Sequence, residues 1–346
     1  MRKVFALVSV LMMLTVLFVT CGGAVPAQAS VPAGPSFTLS VHHNDPATSA
    51  TGQMLEAWAE SVRKASNGRL DFKIYHGGVM GGLRDSYDLL FNGTCDVAWI
   101  NTSVFAGNFP LTEIMSLPLS GIANATHGSR VVWDLYKQFP EIQKEYENFH
   151  MLALHTNSSS PISTRATKIT EISQLAGMNI RANAGPPTVF VTNLGAAPVS
   201  VGITELFEAI NNNTIDAVIT DWHAIRSFAL YEAARYYLDE NVSVTPFFMG
   251  MNLDAYNRLP DDLKAVLDAQ SGDTLMAIVG SYWDEVEISS RQLAVENSGE
   301  IYKLSDAERA KLRAIADKTA IDWIAAKGGS AQQVFDSLVK LIEKYK

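Results

Sequence analysis

The sequence predicts an α/β protein of two lobes with a cleft between them. Two observations carry this. A strand–helix–strand–helix–strand order occurs before residue 150 and again after it, and a later helical stretch is long enough to reach from one lobe to the other.

Residues 1–29 read as an export signal: Arg2 and Lys3, an apolar run from Val4 to Val19, then Ala27-Gln28-Ala29, a small-x-small cleavage pattern. Cys21 raises lipid attachment as an alternative, but Thr20 is a poor residue before a lipidated cysteine, so cleavage after Ala29 is expected. Cys95 is then the one thiol left, no intramolecular disulfide is possible, and Cys95 itself reads as a small core residue. Loss of Arg2 and Lys3 takes the formal charge from −9 to −11, which argues against nucleic acid or an anionic membrane surface as partner. Beyond the signal no apolar run approaches the roughly 20 residues that span a bilayer. A soluble periplasmic protein without stable membrane insertion is expected.

Phe37, Leu39 and Val41 alternate with polar neighbours. Met54, Leu55, Trp58, Val62 and Ala65 follow at helical spacing and stop at Asn67-Gly68. Leu70, Phe72 and Ile74 alternate again, Leu83 to Phe91 reads as a helix closed by Asn92-Gly93, and Asp96 to Ile100 is a short apolar strand. The second run has a strand near Met178 to Ala182, a helix from about Thr188, a strand from Ala197 to Val201, a helix from Thr204 and a strand from Asp216 to Thr220. Each run implies a mostly parallel sheet. Thr245 to Asn252 reads as a further strand and Leu259 to about Val295 as one long helix bridging the lobes. Ser305-Asp306-Ala307-Glu308 is a capping-box pattern that opens a helix to about Lys327, and an amphipathic helix from Ser330 to Tyr345 ends the chain.

Open α/β sheets bind ligands beyond the carboxyl ends of their strands, and Arg181 stands at such an end. Its guanidinium offers a fixed fork of donors that matches a carboxylate; the alternatives are an acidic partner in its own chain or solvent. His42-His43-Asn44-Asp45 ends the first strand in the equivalent position. Neighbouring strand residues face opposite sides, so His42 and His43 cannot both chelate one ion, and no metal site is expected. Trp99, Asn101 and Phe105 follow the third strand; Thr220-Asp221-Trp222-His223 follows the last strand of the second run. Rings at these ends could stack on a flat ligand, although aromatics at such spacing more often serve the core. GxSxG, a phosphate loop and a GxGxxG after a strand are all missing, and Gly77-Gly78 and Gly81-Gly82 lack the Lys-Ser/Thr of a phosphate loop. This weighs against an enzyme, and no cofactor is expected.

Residues 172–222 resemble the solute-binding subunits of TRAP (tripartite ATP-independent periplasmic) transporters. The matching pieces are Gln174 to Arg181, Leu194 to Val199, Glu205 to Ile210, Ile215-Asp216, and Asn252 with Leu259-Pro260. Gly68-Arg69-Leu70, the GGVMGG run, Asn92 to Val97 and Leu117-Pro118 agree in the first half. The resemblance implies a periplasmic-binding-protein fold, with lobe I from 36–157 plus 246–286 and lobe II from 158–245 plus 287–346. It also implies hinged closure on a small organic acid, with Arg181 as the carboxylate anchor, and delivery to a membrane permease pair. Where many members carry a second Arg this chain has Pro161, with Arg165 shifted. That favours a monocarboxylate or a 2-oxo or 2-hydroxy acid over a dicarboxylate, and an aromatic body would suit Trp222. The remaining site is expected at His42, His43, Asn44, Trp99, Asn101, Ile203, Thr220, Asp221 and Trp222. A binding protein of an ABC importer, a sensor, or an exported enzyme using His42, His43 or His223 as base are the alternatives. The ligand's identity and the oligomeric state stay open, as does a metal ion assisting ligand binding.

Overall fold

A computed structural model describes residues 34–158 and 160–346; the signal segment and Cys21 lie outside them. Residues 34–346 form one compact unit built on two sheets. In chain order the strands are β1 (Phe37–His42), β2 (Leu70–Tyr75), β3 (Val97–Asn101), β4 (Phe149–Thr156), β5 (Ser160–Thr164), β6 (Asn179–Arg181), β7 (Ala197–Val199), β8 (Ala217–Ile219), β9 (Tyr236–Ser243), β10 (Pro246–Asn252) and β11 (Glu300–Tyr302). The first sheet runs β2-β1-β3-β10-β4 and the second β11-β9-β5-β8-β6-β7. In the first, β1 pairs in parallel with β2 and β3, and β10 is antiparallel to both its neighbours. In the second, β6 is parallel to β7 and β8, while β5 is antiparallel to β8 and β9.

The chain crosses between the sheets at β4 to β5 and at β9 to β10. At the crossing the two segments hold each other: the Asn157 backbone N–H donates to Thr245 O at 3.2 Å, and the Thr245 N–H donates to Asn157 Oδ1 at 2.6 Å. β4, β5 and β9 are not anticipated from sequence: β4 and β5 are largely buried on both faces and lose the alternation that marks a half-exposed strand, and β9 carries Asp239, Glu240 and Asn241, residues that disfavour a strand reading. β5 is buried throughout although it carries Pro161. A register shift between Ser160 and Ile162 against β9 accommodates the proline's missing N–H.

Both faces of the first sheet are covered. Val97, Trp99, Phe247, Met249 and Met251 face a core shared with Trp58 and Val62 of the Ala50–Ala65 helix, while Ile100, Leu154 and Phe248 face a second core. Ser49 opens the Ala50–Ala65 helix by accepting from Gly52 N at 3.0 Å. The expected single helix from Leu259 is broken: Asp261–Ala269 and Asp273–Glu296 are separated at Gly272, whose φ is 55° and whose N–H donates to Leu152 O at 2.7 Å. The Asp273–Glu296 helix still reaches both layers, with Val279 and Trp283 in the first core and Ala294 packed with Trp222 and Tyr237 beside the second sheet. The Asp306–Lys327 helix begins as expected, with Ser305 Oγ accepting from Glu308 N at 3.4 Å. The final helix, Ala331–Tyr345, assigned with the second lobe from sequence, packs Val334, Leu338, Leu341 and Ile342 into the core behind the first sheet. Its apolar stripe is thus covered by its own chain.

Where Asp273–Glu296 meets the Ala125–Gln138 helix, Asp284 accepts from Ala125 N at 2.8 Å and from Thr126 Oγ1 at 2.5 Å, capping that helix from outside. The approach requires Gly280, because a Cβ there would lie 2.2 Å from Thr126 Oγ1. Gly280→Val is expected to cost about 1–3 kcal/mol by overpacking, read as a lower urea midpoint. An unchanged midpoint would contradict the close contact.

Candidate functional site

The carboxyl ends of β1, β2 and β3 face those of β6, β7 and β8 across a cavity of about 630 Å3. From the first-sheet side come Asn44 and Asp45 after β1, the Gly77–Gly78 and Gly82–Asp85 turns after β2, Trp99 and Asn101 of β3, Phe247 of β10, and Trp283. From the second-sheet side come Arg181 and Asn183 after β6, the 200–204 segment after β7, and Thr220, Asp221, His223 and Phe228 after β8. Arg181, Asn44, Trp99, Asn101, Ile203, Thr220 and Asp221, singled out from sequence, therefore line one cavity.

His42, His43 and Trp222 do not, and their assignment to the site is corrected. His42 is fully buried with Nε2 3.0 Å from Ser86 Oγ, and Ser86 donates to Asn44 Oδ1 at 2.8 Å. Since the hydroxyl has one proton, His42 Nε2 is the donor, and burial keeps the ring neutral. Asn44 Nδ2 in turn donates to Gly81 O at 3.0 Å, so His42 braces Asn44 and the glycine-rich turn from behind. His43 points elsewhere, with Nε2 2.8 Å from His76 Nδ1. Burial and the neighbouring imidazoles lower its pKa to about 3. Trp222 opens the Trp222–Ser227 helix and turns into the core: it is fully buried, its ring centroid is 5.1 Å from that of Tyr237, and the Arg291 guanidinium lies 4.7 Å over it. It cannot stack on a molecule in the cavity.

The aromatic wall comes from elsewhere. Trp99 stacks on Phe247 with centroids 4.6 Å apart and planes 13° from parallel; Trp283 lies 5.5 Å from Phe247 and 6.1 Å from Trp99. Trp99 Nε1 donates to His155 Nε2 at 2.8 Å. An indole N–H can only donate, so His155 must be neutral with its proton on Nδ1, which faces Thr156 O at 3.3 Å. Burial does this, lowering its pKa to about 3. Phe247 and Trp283 went unread because a strand and a helix distant in sequence bring them beside Trp99. The only sequence signal was Phe247's position in a strand.

The remaining lining carries charge from both sides. Arg181 is 8% exposed. Its Nε donates to Val201 O at 3.2 Å, but among the described residues its terminal nitrogens make no hydrogen bond and no carboxylate lies within 4.0 Å. Burial lowers its pKa to about 10, against the opposing pull of Asp221. His223, absent from the expected binding set, sits between two acids: Nε2 is 3.8 Å from Asp45 Oδ2 and Nδ1 is 4.0 Å from Asp221 Oδ1. Asp45 Oδ2 also accepts from Thr51 Oγ1 at 2.6 Å, and Asp221 Oδ1 caps its helix by accepting from Ala224 N at 3.0 Å. Burial pushes the Asp45 carboxyl up, while His223 and Thr51 oppose this. Among the described residues no group of three or more His, Cys, Asp or Glu side chains is arranged to hold a metal, and no helix is long and apolar enough to cross a membrane.

The model of the bacterial extracellular solute-binding proteins, family 7, matches residues 41–333. A TRAP solute-binding protein from a marine metagenome, specific for aromatic acid ligands and crystallised with 3-hydroxybenzoate, superposes with a TM-score of 0.85 at 26% identity. That match covers 90% of this chain and 100% of that one. A TRAP solute-binding protein from Rhodoferax ferrireducens T118 with copurified benzoate gives 0.83 at 26% identity, over 90% and 98%. The 2,3-diketo-L-gulonate-binding periplasmic protein of Escherichia coli (strain K12) is 22% identical over 81% of this chain and 80% of its own. With a family model matched across both sheets and a fold shared over nine-tenths of its length, the chain belongs to family 7 of the bacterial extracellular solute-binding proteins, among the solute-binding proteins of TRAP transporters.

Proposed function

We propose that the protein captures a small aromatic monocarboxylate, with Arg181 as the anchor of the carboxylate and the Trp99–Phe247–Trp283 wall against its ring. The observation that carries this is Arg181 itself, a guanidinium almost entirely withdrawn from water, facing a cavity, with a pull from Asp221 too weak to offset its burial and no carboxylate among the described residues within 4.0 Å. Burying an ion without a counterion costs several kcal/mol unless something repays it. A carboxylate arriving from solution repays it with two charge-assisted hydrogen bonds in a fixed fork. The 3-hydroxybenzoate and benzoate held by the two solved relatives agree with an aromatic body. Trp99 and Phe247, already stacked and nearly parallel, offer a flat face for one.

The loaded protein would then hand the acid, chemically unchanged, to TRAP permease subunits. Export by residues 1–29 puts this in the periplasm. The β4–β5 and β9–β10 crossings serve as the hinge on which two lobes, 36–157 plus 246–286 and 158–245 plus most of 287–346, close over the ligand.

Two measurements on Arg181 test the reading. In a thermal-shift panel of small acids, sugars and amines, an acid at 100 times its Kd adds roughly 2.7 kcal/mol to wild type. Arg181→Ala should lose that response; a variant that still responds, or a panel in which only sugars or amines act, defeats the anchor. The second concerns the ligand-free protein. Because burial depresses Arg181's folded pKa below its unfolded value, its cost to stability is fully present at neutral pH and fades only as pH rises past about 10. Arg181→Met, which keeps the stem and drops the charge, should therefore stabilise the unliganded protein by roughly 1–3 kcal/mol. A lower melting temperature for this variant would mean that the charge is already compensated.

A further inference from the structure

The charged wall holds more than a carboxylate anchor needs. Asp45, Asp221 and His223 are 8%, 8% and 4% exposed, and all three line the cavity that Arg181 faces. Each spends part of its hydrogen-bonding capacity on the protein: Asp45 Oδ2 on Thr51, Asp221 Oδ1 on Ala224 N, and His223 Nε2 on Ser227 Oγ at 3.2 Å. Among the described residues the other half of each has no hydrogen-bond partner, leaving Asp45 Oδ1, Asp221 Oδ2 and His223 Nδ1 open. Beside them is the Arg181 fork, equally buried and unpartnered. All four residues open onto the cavity, so a ligand filling it can meet two needs, an anion's place at Arg181 and a donor's place at the acids.

Arg181 asks for an anion. Asp45 and Asp221 present acceptor oxygens instead of donors, so the two ends of the ligand are told apart. What they accept is a donor, and a neutral O–H meets that need without the desolvation cost of an ammonium. We infer that Asp45, Asp221 and His223 form a second subsite that receives a hydroxyl of the ligand, so that the preferred cargo is a hydroxylated aromatic acid rather than a plain one. This rests on the reading of Arg181 as the carboxylate anchor. The subsite is also divided: Asp45 follows β1 of the first sheet, whereas Asp221 and His223 follow β8 of the second. A hydroxyl bound there touches both sides of the cleft.

The test is titration calorimetry of wild type, Asp45→Asn, Asp221→Asn and Arg181→Ala with matched acids: benzoate against 3- and 4-hydroxybenzoate, phenylacetate against mandelate and hydroxyphenylacetates, and 3-(aminomethyl)benzoate as the ammonium arm. Melting curves confirm that each variant is folded. A hydrogen bond to a charged group is worth about 1.5–3 kcal/mol. In wild type the hydroxylated member of at least one pair should therefore bind roughly tenfold tighter or more, and that ratio should fall toward one in Asp45→Asn or Asp221→Asn, whatever happens to the separate affinities. Equal binding of every hydroxylated and plain pair by wild type, or a ratio untouched in both variants, overturns the subsite. So does preference for the aminomethyl acid, which would make it an ammonium site. If hydroxylated and plain acids bind alike and Arg181→Ala loses both, the subsite alone fails. If wild type binds none of them, the anchor fails and the subsite with it.

Discussion

The pairing of the two chain crossings is the constraint on which the rest of the molecule depends. Asn157 and Thr245 hold the β4–β5 and β9–β10 segments side by side through reciprocal bonds of 3.2 and 2.6 Å. Because β10 and β5 each enter their sheets antiparallel to the strands beside them, the parallel strands of the two sheets point their carboxyl ends at one another. In an isolated α/β sheet those ends form a crevice open to water. Here each crevice is the lid of the other. Asn183 Nδ2, donating to Thr245 Oγ1 at 2.9 Å, ties the segment after Arg181 to the same crossing.

An enclosed space changes what its charges are worth. At a surface, Arg181 beside Asp221 would be an ordinary weakly coupled pair. Withdrawn from water, burial outweighs the acid's pull and the guanidinium's pKa falls to about 10, which means that its charge is held at a cost. The ring cluster of the first-sheet side has the reverse character. Trp99, Phe247 and Trp283 present rings, and behind them His155 is kept neutral so that it can accept the Trp99 indole proton. That buried bond fixes the plane of Trp99 without placing a cation behind the rings. The cavity thus sets a cluster of rings apart from a cluster of charged groups with unused hydrogen-bonding capacity, an arrangement suited to a molecule with one flat face and one acidic end.

Arg181, Trp99, Asn101, Thr220 and Asp221 were legible in sequence because residue type and strand-end position coincided, and strand ends follow from local periodicity. Trp222 failed by a single step. Asp221 is the cap of a helix, and each residue into a helix turns by about 100°, so the ring beside a cavity-lining acid faces the core while His223 comes round to the cavity. His42 and His43 failed for the complementary reason: the alternation that ruled out joint metal binding also carries both rings away from Asn44, one behind it and one to His76. Phe247 and Trp283 were out of reach because their neighbourhood with Trp99 is tertiary. β4 and β5 were missed since burial on both faces erases the period-two pattern, and the break at Gly272 was missed because one glycine within an apolar helical stretch carries little weight until Leu152 O is there to receive its N–H.

The two poles of the charged wall differ in how they relate to the sheets, and this separates affinity from closure. Arg181, with its hydrogen bond to Val201 O, belongs wholly to the second-sheet side, so a ligand held only there leaves the opposite side unengaged. Asp45 and His223 meet across the cleft at 3.8 Å, longer than a hydrogen bond. Their contact alone therefore joins the sides weakly. A ligand atom that satisfies Asp45 together with Asp221 or His223 replaces that long contact with short ones and acts on both sides at once. In a two-lobed binding protein, only interactions that are stronger in the closed arrangement than in the open one can bias the equilibrium toward closure. On the proposed reading, Arg181 would recruit many acids, and the divided pole would give those that reach it a larger share in closing the cleft.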